Sequence, residues 1–187
     1  MRITGGRARG IRLKVPTELV TRPATDRMRE AVFSSLGTSV HNCKVLDLFA
    51  GTGSYGLEAL SRGAASVCFV ENNYAAINCL QRNSLAVTRS CGLEKEVTRI
   101  VAQDVYNTQA NLQKYDLLFI DPPYASIAKN IDRIFSTIIN NCSVKTSRAV
   151  LEVPAGLELQ IEGWRPLRRI GKTGKGKPNM LIFSQTS

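Results

Sequence analysis

Four acidic residues stand at or near the ends of apolar runs: Asp47 in Lys44-Val45-Leu46-Asp47-Leu48, Glu71 after Ser66–Val70, Asp104 after Val97–Val101, and Asp121 after Leu117-Leu118-Phe119-Ile120. The last of them opens Asp121-Pro122-Pro123-Tyr124. Each proline pushes the residue before it toward extended geometry and removes a backbone N–H, so this exit offers carbonyl acceptors and few donors. A carboxylate, a fixed carbonyl and an aromatic face suit a flat molecule that carries an exocyclic NH2. An ordinary strand-to-loop turn would use the same Asp-Pro and Pro-Pro pairs.

Gly51-x-Gly53-x-x-Gly56 follows the run that holds Asp47, and Glu71 lies twenty residues beyond Gly51, the spacing of a dinucleotide-binding loop. NAD would be the mechanical reading. Asp47 opposes it, because a pyrophosphate at that loop would meet a carboxylate of its own sign. S-adenosylmethionine instead brings an ammonium, a sulfonium and no phosphate. Asp47 then suits the cationic end, Glu71 the ribose hydroxyls and Asp104 the adenine amine. Glu71 and Asp104 have a plainer alternative as helix-capping or solvated acids.

These acids need a scaffold that brings strand ends together. The runs 44–50, 66–71, 97–101, 115–121 and 149–153 read as strands, separated by helical patterns from Thr25 or Asp26 to Leu36, through Leu57 and Leu60, from Asn73 to about Ser90, and through Ile127, Ile131, Ile134 and Ile138. Strands alternating with helices predict an α/β parallel sheet, and 167–170 with 180–184 predict an antiparallel pair at the end. Arg2 to Pro16 alternates apolar and basic residues among glycines and reads as a small β-hairpin extension over residues 1–20, before a single domain over 21–187.

The 187 residues suffice for one ordinary core, and 43% hydrophobic against 21% charged argues for a globular chain. No apolar run is long enough for a membrane span, and arginines interrupt the start, so neither a transmembrane helix nor a secretory signal is expected. Five scattered cysteines without a Cys-x-x-Cys pair suit buried thiols in a reducing cytoplasm, and His41 as the sole histidine leaves metal sites and histidine-based catalysis without their usual donors. The net charge of +10 is uneven: residues 1–29 carry +6, residues 162–187 carry +5, and the body between is nearly neutral. Two basic ends on a neutral body suit a polyanion grip, although charge runs also occur as solvated tails. Arg7, Arg9, Arg12 and Arg22, with Lys172 and Lys175 in the loop 171–178, are the candidate phosphate contacts.

Asp47-x-Phe49-Ala50-Gly51-Thr52-Gly53, Glu71, Asp104 and Asp121-Pro122-Pro123-Tyr124 resemble the S-adenosylmethionine-dependent amino-methyltransferases. Arg22-Pro23-x-Thr25-Asp26-x-x-Arg29-Glu30 and Gly56-Leu57-Glu58-Ala59-Leu60-Ser61-Arg62-Gly63-Ala64 resemble the bacterial 16S ribosomal RNA guanine-N2 methyltransferases in particular. The resemblance implies a Rossmann-like seven-stranded fold, cytoplasmic work as a monomer, and a guanine of 16S rRNA as target, met in the small subunit or an assembly intermediate. It places Thr25 and Arg29 over the methionine end of the cofactor. Thr52 joins Gly51 and Gly53 at the cofactor loop, Asn72 stands beside Glu71, and Val105 beside Asp104. Asp121 and the Pro122 carbonyl would accept the two N–H bonds of the amine while Tyr124 stacks on the base. The competing readings are an N6-adenine methyltransferase of RNA or DNA, a non-enzymatic RNA-binding relative, and a NAD oxidoreductase.

Overall fold

The computed structural model describes residues 1–17, 26–108, 114–122, 124–171 and 178–186, with the backbone alone for 124–126, 128 and 129. One seven-stranded sheet organises them: β1 (Lys44–Leu48), β2 (Ser66–Glu71), β3 (Thr98–Ala102), β4 (Tyr115–Ile120), β5 (Ser143–Pro154), β6 (Trp164–Ile170) and β7 (Pro178–Gln185). Their order across the sheet is β3-β2-β1-β4-β5-β7-β6. The first five run parallel, and β7 lies antiparallel to both β5 and β6. The chain winds outward from β1 to β3, then returns to place β4 on the other side of β1. That reversal makes a crevice at the carboxyl ends of β1 and β4, where open α/β sheets take ligands.

Helices α1 (Asp26–Leu36), α2 (Ser54–Ser61), α3 (Tyr74–Cys91) and α4 (Tyr124–Ile134) supply the outer layers. One face of the sheet packs Val45, Phe69, Phe119, Val150 and Ile182 against α1, α2 and α3. The other packs Leu46, Leu118, Ile120, Leu151 and Phe183 against Ile131, Ile134 and Phe135. With both faces covered, β4 reads as a continuous apolar run over Leu117–Ile120, and β1 is apolar from Val45 to Leu48 except for Asp47. Each buried Leu, Ile or Phe contributes roughly 1.5–3 kcal/mol. Phe119 holds the site-bearing face together, stacked on Tyr55 at 5.1 Å and tilted against Phe33 at 5.6 Å.

Three expectations need correction in detail. The fifth strand starts at Ser143, six residues before the expected 149; its first half carries exposed Lys145 and Thr146 and so has no apolar run to betray it. The sixth starts at Trp164, three residues early, because its middle is polar. After α4 the backbone widens into a π turn (Phe135–Ile139) and a last turn (Asn140–Cys142), where the isoleucine spacing predicts an even helix.

The N-terminal segment closes as a small hairpin docked on the core: Arg2 bridges Arg12 in antiparallel fashion, the Ile3 N–H donates to the Ile11 carbonyl, and the Leu13 N–H donates to the Met1 carbonyl. Its apolar residues Ile3, Ala8 and Leu13 belong to the core shared with α1–α3. The expected boundary at residue 20 lies outside the described residues. Among the described residues no helix is long and apolar enough to cross a membrane.

Candidate active site

The loop after β1 carries the tightest local constraints. Phe49 holds φ 58°, a conformation uncommon for a non-glycine residue and one that concentrates at functional sites. Gly53 follows at φ 85°, and a Cβ there would meet Leu80 Cδ1 at 2.3 Å. A Cβ on Gly56 would meet Phe69 and Val67, so α2 lies directly on β2. At Gly51 a Cβ would meet nothing within 4 Å: that glycine borders open space at the crevice.

Three of the predicted acids pin loops. The Gly56 N–H, one of the unpaired donors at the start of α2, donates to Asp47 Oδ2 at 2.8 Å. Glu71 Oε2 accepts the Gly51 N–H at 2.7 Å, and Oε1 accepts those of Asn72 and Asn73 at 2.9 and 2.8 Å. Asp104 Oδ1 accepts the Tyr106 N–H at 2.8 Å and starts the turn that buries Val105. Asp104 thus caps a short helical turn, whereas Glu71 ties the glycine loop to the β2–α3 loop and leaves the capping of α3 to Asn73. Both leave room for a ligand, since a carboxylate offers about four acceptor positions.

The fourth acid differs. The Asp121 N–H approaches the Leu48 carbonyl at 3.5 Å, which sets the exit of β4 beside that of β1. Its carboxyl meets that of Glu152 on β5, and the two share a hydrogen bond. Burial, then the charges of Glu152 and Asp47, push the Asp121 carboxyl well above the ordinary carboxylate range. Burial likewise pushes Asp47 up to about 8; the Gly56 N–H opposes the shift and Glu71 adds to it. Beneath them lies Tyr55, buried, with its hydroxyl 3.6 Å from Met180 Sδ. Carboxyls held neutral by burial and by one another's charge are ready to take a cation.

The structure brings Asp47, Gly51, Thr52, Gly53, Glu71, Asn72, Asp121 and buried Pro122 to the carboxyl ends of adjacent strands, with Asp104 and Val105 at the end of β3. Tyr124 opens α4, but its side chain lies outside the described residues, as do Arg22, Thr25, Lys172 and Lys175. Arg29 departs from expectation. It is fully buried: Nε donates to Glu58 Oε2 at 3.2 Å, and Nη2 donates to Asp26 Oδ1 at 2.9 Å and to the Arg2 carbonyl. These partners belong to the N-terminal segment and α1–α2, so Arg29 serves as an internal tie, and with no exposure it makes no phosphate contact. Arg7, Arg9 and Arg12 are exposed, as a phosphate grip requires.

Sequence reasoning missed three residues. Glu58, fully buried, accepts from the backbone of Thr4 and Gly5 as well as from Arg29 and Arg62; its signal was an acid four residues before Arg62 on an otherwise apolar helix. Asn83 joins the Lys14 backbone to the Thr52 carbonyl at 2.7–3.0 Å, and nothing in its spacing announced that. Glu152 did carry a signal, an acid inside the run Ala149–Val153.

The chain matches the family described as Conserved hypothetical protein 95 over residues 1–178. It is 38% identical over 125 residues to the Ribosomal RNA small subunit methyltransferase D of Haemophilus influenzae, covering 66% of this chain and 64% of that protein. The protein of the same name from Escherichia coli K12 is 37% identical over 125 residues, covering 66% and 60%. The match thus spans somewhat less than two thirds of either relative. The solved structure of yhhF from Escherichia coli superposes with a TM-score of 0.79 at 27% identity, covering 99% of this chain and 97% of that one. The strand order, the glycine loop with its acids and the match over nearly the whole length agree: the chain has the Rossmann-like fold of S-adenosylmethionine-dependent methyltransferases and belongs to the Conserved hypothetical protein 95 family, together with the small-subunit ribosomal RNA methyltransferase D proteins.

Proposed function

We propose that this protein transfers a methyl group from S-adenosylmethionine to the exocyclic N2 of a guanine in 16S ribosomal RNA. The observation that carries the reading is the set of carboxyls at adjoining strand ends, Asp47, Glu71, Asp121 and Glu152, on a sheet whose relatives are ribosomal RNA methyltransferases. At the glycine loop a pyrophosphate would meet the Asp47 and Glu71 acceptors where it needs donors, whereas an ammonium draws the proton off Asp47, so the residues fit S-adenosylmethionine and disfavour NAD. The donor supplies an electrophilic methyl group.

The chain's own residues do the rest. Glu71 accepts from the ribose, Asp104 from the adenine amine, and Asp47 faces the cationic end across the glycine loop. A guanine amine is a poor nucleophile because its lone pair is delocalised into the ring. Asp121 and the Pro122 carbonyl accept its two N–H bonds, turn the lone pair toward the methyl, and stabilise the positive charge that grows on nitrogen. As that nitrogen gains the methyl group it would shed a proton to Asp121, which the entering base leaves ionised and which burial biases toward holding a proton. Tyr124 stacks on the base, worth roughly 1–3 kcal/mol. The target must be unpaired or extruded to reach the crevice, which favours a loop of the RNA. Arg7, Arg9, Arg12 and Arg22 hold phosphates, joined by Lys172 and Lys175, and the protein works as a cytoplasmic monomer beside its ribosomal substrate.

The test supplies the purified protein with methyl-labelled S-adenosylmethionine and 16S rRNA from a strain lacking this gene, free or in small subunits, then digests the RNA to nucleosides and maps the label. Label in N2-methylguanosine at one position is the expected result. Label in N6-methyladenosine would replace guanine with adenine chemistry, and no label on either substrate would overturn the reading.

A further inference from the structure

Beneath the crevice the sheet holds a second carboxyl that the mechanism above leaves idle. Ile120 on β4 lies opposite Leu151 on β5, so the next residues, Asp121 and Glu152, come side by side on one face, toward α1 and α2. Across Glu152, on β7, lies Met180, whose sulfur contacts the Tyr55 hydroxyl. Glu152 is thus set in a nearly dry wall, 8% exposed, with its carboxyl hydrogen-bonded to that of Asp121. A hydrogen bond between two carboxyls requires a proton between them. Any base that enters to use Asp121 must also deal with Glu152.

Guanine's edge presents two kinds of donor in a row, the N2 amine and the ring N1–H. Once Asp121 and the Pro122 carbonyl take the amine, N1–H remains, and a donor buried without an acceptor costs about 1–3 kcal/mol. Adenine has the opposite pattern: the ring nitrogen beside its amine is an acceptor, which an ionised carboxylate repels. We propose that Glu152 accepts the guanine N1–H and is the residue by which this protein selects guanine over adenine. The inference rests on the guanine reading above and adds to it the element that chooses the base. In the empty crevice Glu152 and Asp121 satisfy each other through their shared proton. In the occupied one, the two donors of guanine replace that proton, which leaves to solvent as the base enters, and the crevice carries two carboxylates facing a cationic donor and a base that grows positive. Glu152 is a specificity residue here, since it touches the ring nitrogen and not the reacting amine.

The experiment uses a hairpin RNA containing the mapped guanine, and the same hairpin with 2-aminopurine or 2,6-diaminopurine in its place. Both analogues keep the 2-amine and turn N1 into an acceptor. Single-turnover transfer by the wild-type protein should be at least ~100-fold slower on either analogue than on guanine, as expected where a site is built to meet a donor that the analogue lacks. Glu152→Gln, whose amide can donate to N1 as well as accept from N1–H, should narrow that ratio to less than ~10-fold, slower on guanine and faster on the analogues. Affinity for S-adenosylmethionine should stay within about twofold of wild type. Equal rates of the wild-type protein on guanine and the analogues would overturn the proposal without needing a variant. A Glu152→Gln protein slowed by one common factor on all three RNAs would reduce Glu152 to a structural partner of Asp121, and would overturn it too. Failure of the wild-type protein to label the guanine hairpin at all would instead defeat the parent reading.

Discussion

Asp47 carries the clearest titration. Its carboxyl has an ordinary value of 3.8 and is raised to about 8 in the folded chain, chiefly by burial. The folded protein therefore holds a proton there that the unfolded chain has lost, and stability from this group is full below about pH 4 and declines as pH rises toward about 8. A cation beside Asp47 reverses the bias. Binding of S-adenosylmethionine should therefore release a proton within that window. Calorimetric titrations at about pH 6.5 in buffers of low and high ionisation enthalpy should give different apparent binding enthalpies, and Asp47→Asn should reduce the difference. Enthalpies that do not depend on the buffer would remove Asp47 from the cationic end of the cofactor.

Among the elements, α2 is the one most enclosed: Tyr55 to Ser61 are all buried, and Glu58 among them gathers the N-terminal segment, Arg29 and Arg62 into one network. Removing one partner of a buried ion pair leaves the other uncompensated. Glu58→Ala should cost about 3–5 kcal/mol in urea unfolding, whereas a surface pair such as Lys95 with Glu96 should contribute ~0–1 kcal/mol. A loss near zero would mean that the N-terminal segment docks by apolar contact alone. The order of elements was legible because the first four strand ends were each marked by an acid or a glycine and the main helices by their apolar stripes. The ties between elements were not, because Asn83 and Glu58 take their roles from partners tens of residues away, Lys14 and Thr52 for one and Thr4 and Arg29 for the other. The same holds for Arg29: the resemblance set it over the cofactor, and its tie to Glu58, twenty-nine residues on, was not legible in its own spacing. Strand β5 hid its first half because register with β4 depends on backbone hydrogen bonds, which leave exposed Lys145 and Thr146 free to be polar.

At the scale of the whole molecule, charge is separated from chemistry. Acids gather at the strand ends, while the two termini together carry +11 against a net charge of +10. Arg7, Arg9 and Arg12 lie exposed on a turn whose backbone is anchored to Ser61, so their side chains can meet phosphates without moving the cofactor loop. Replacing all three with Ala should weaken RNA binding and reduce the slope of log affinity against log salt by roughly 0.7–0.9 for each phosphate that is no longer neutralised. Affinity for S-adenosylmethionine should not change. An unchanged salt slope with weaker cofactor binding would assign the turn to the cofactor site, by way of Lys14, Asn83 and Thr52.

Asp121 joins the three scales, one carboxyl at one strand exit on which the proposed activity rests. Asp121→Ala removes both the repulsion from Asp47 and the hydrogen bond to Glu152, two effects that oppose each other, so the variant should melt close to the wild-type temperature and bind S-adenosylmethionine with similar affinity. Asp121→Asn should retain part of the activity, since its amide oxygen still accepts one N–H. The decisive measurement is the single-turnover rate of methyl transfer by Asp121→Ala at saturating donor and RNA. A fall of at least ~100-fold, a loss of about 2.7 kcal/mol of transition-state stabilisation, is the predicted result. An Asp121→Ala protein that is less stable yet transfers methyl groups at the wild-type rate per folded molecule would contradict the account, and would make Asp121 a turn former at the end of β4.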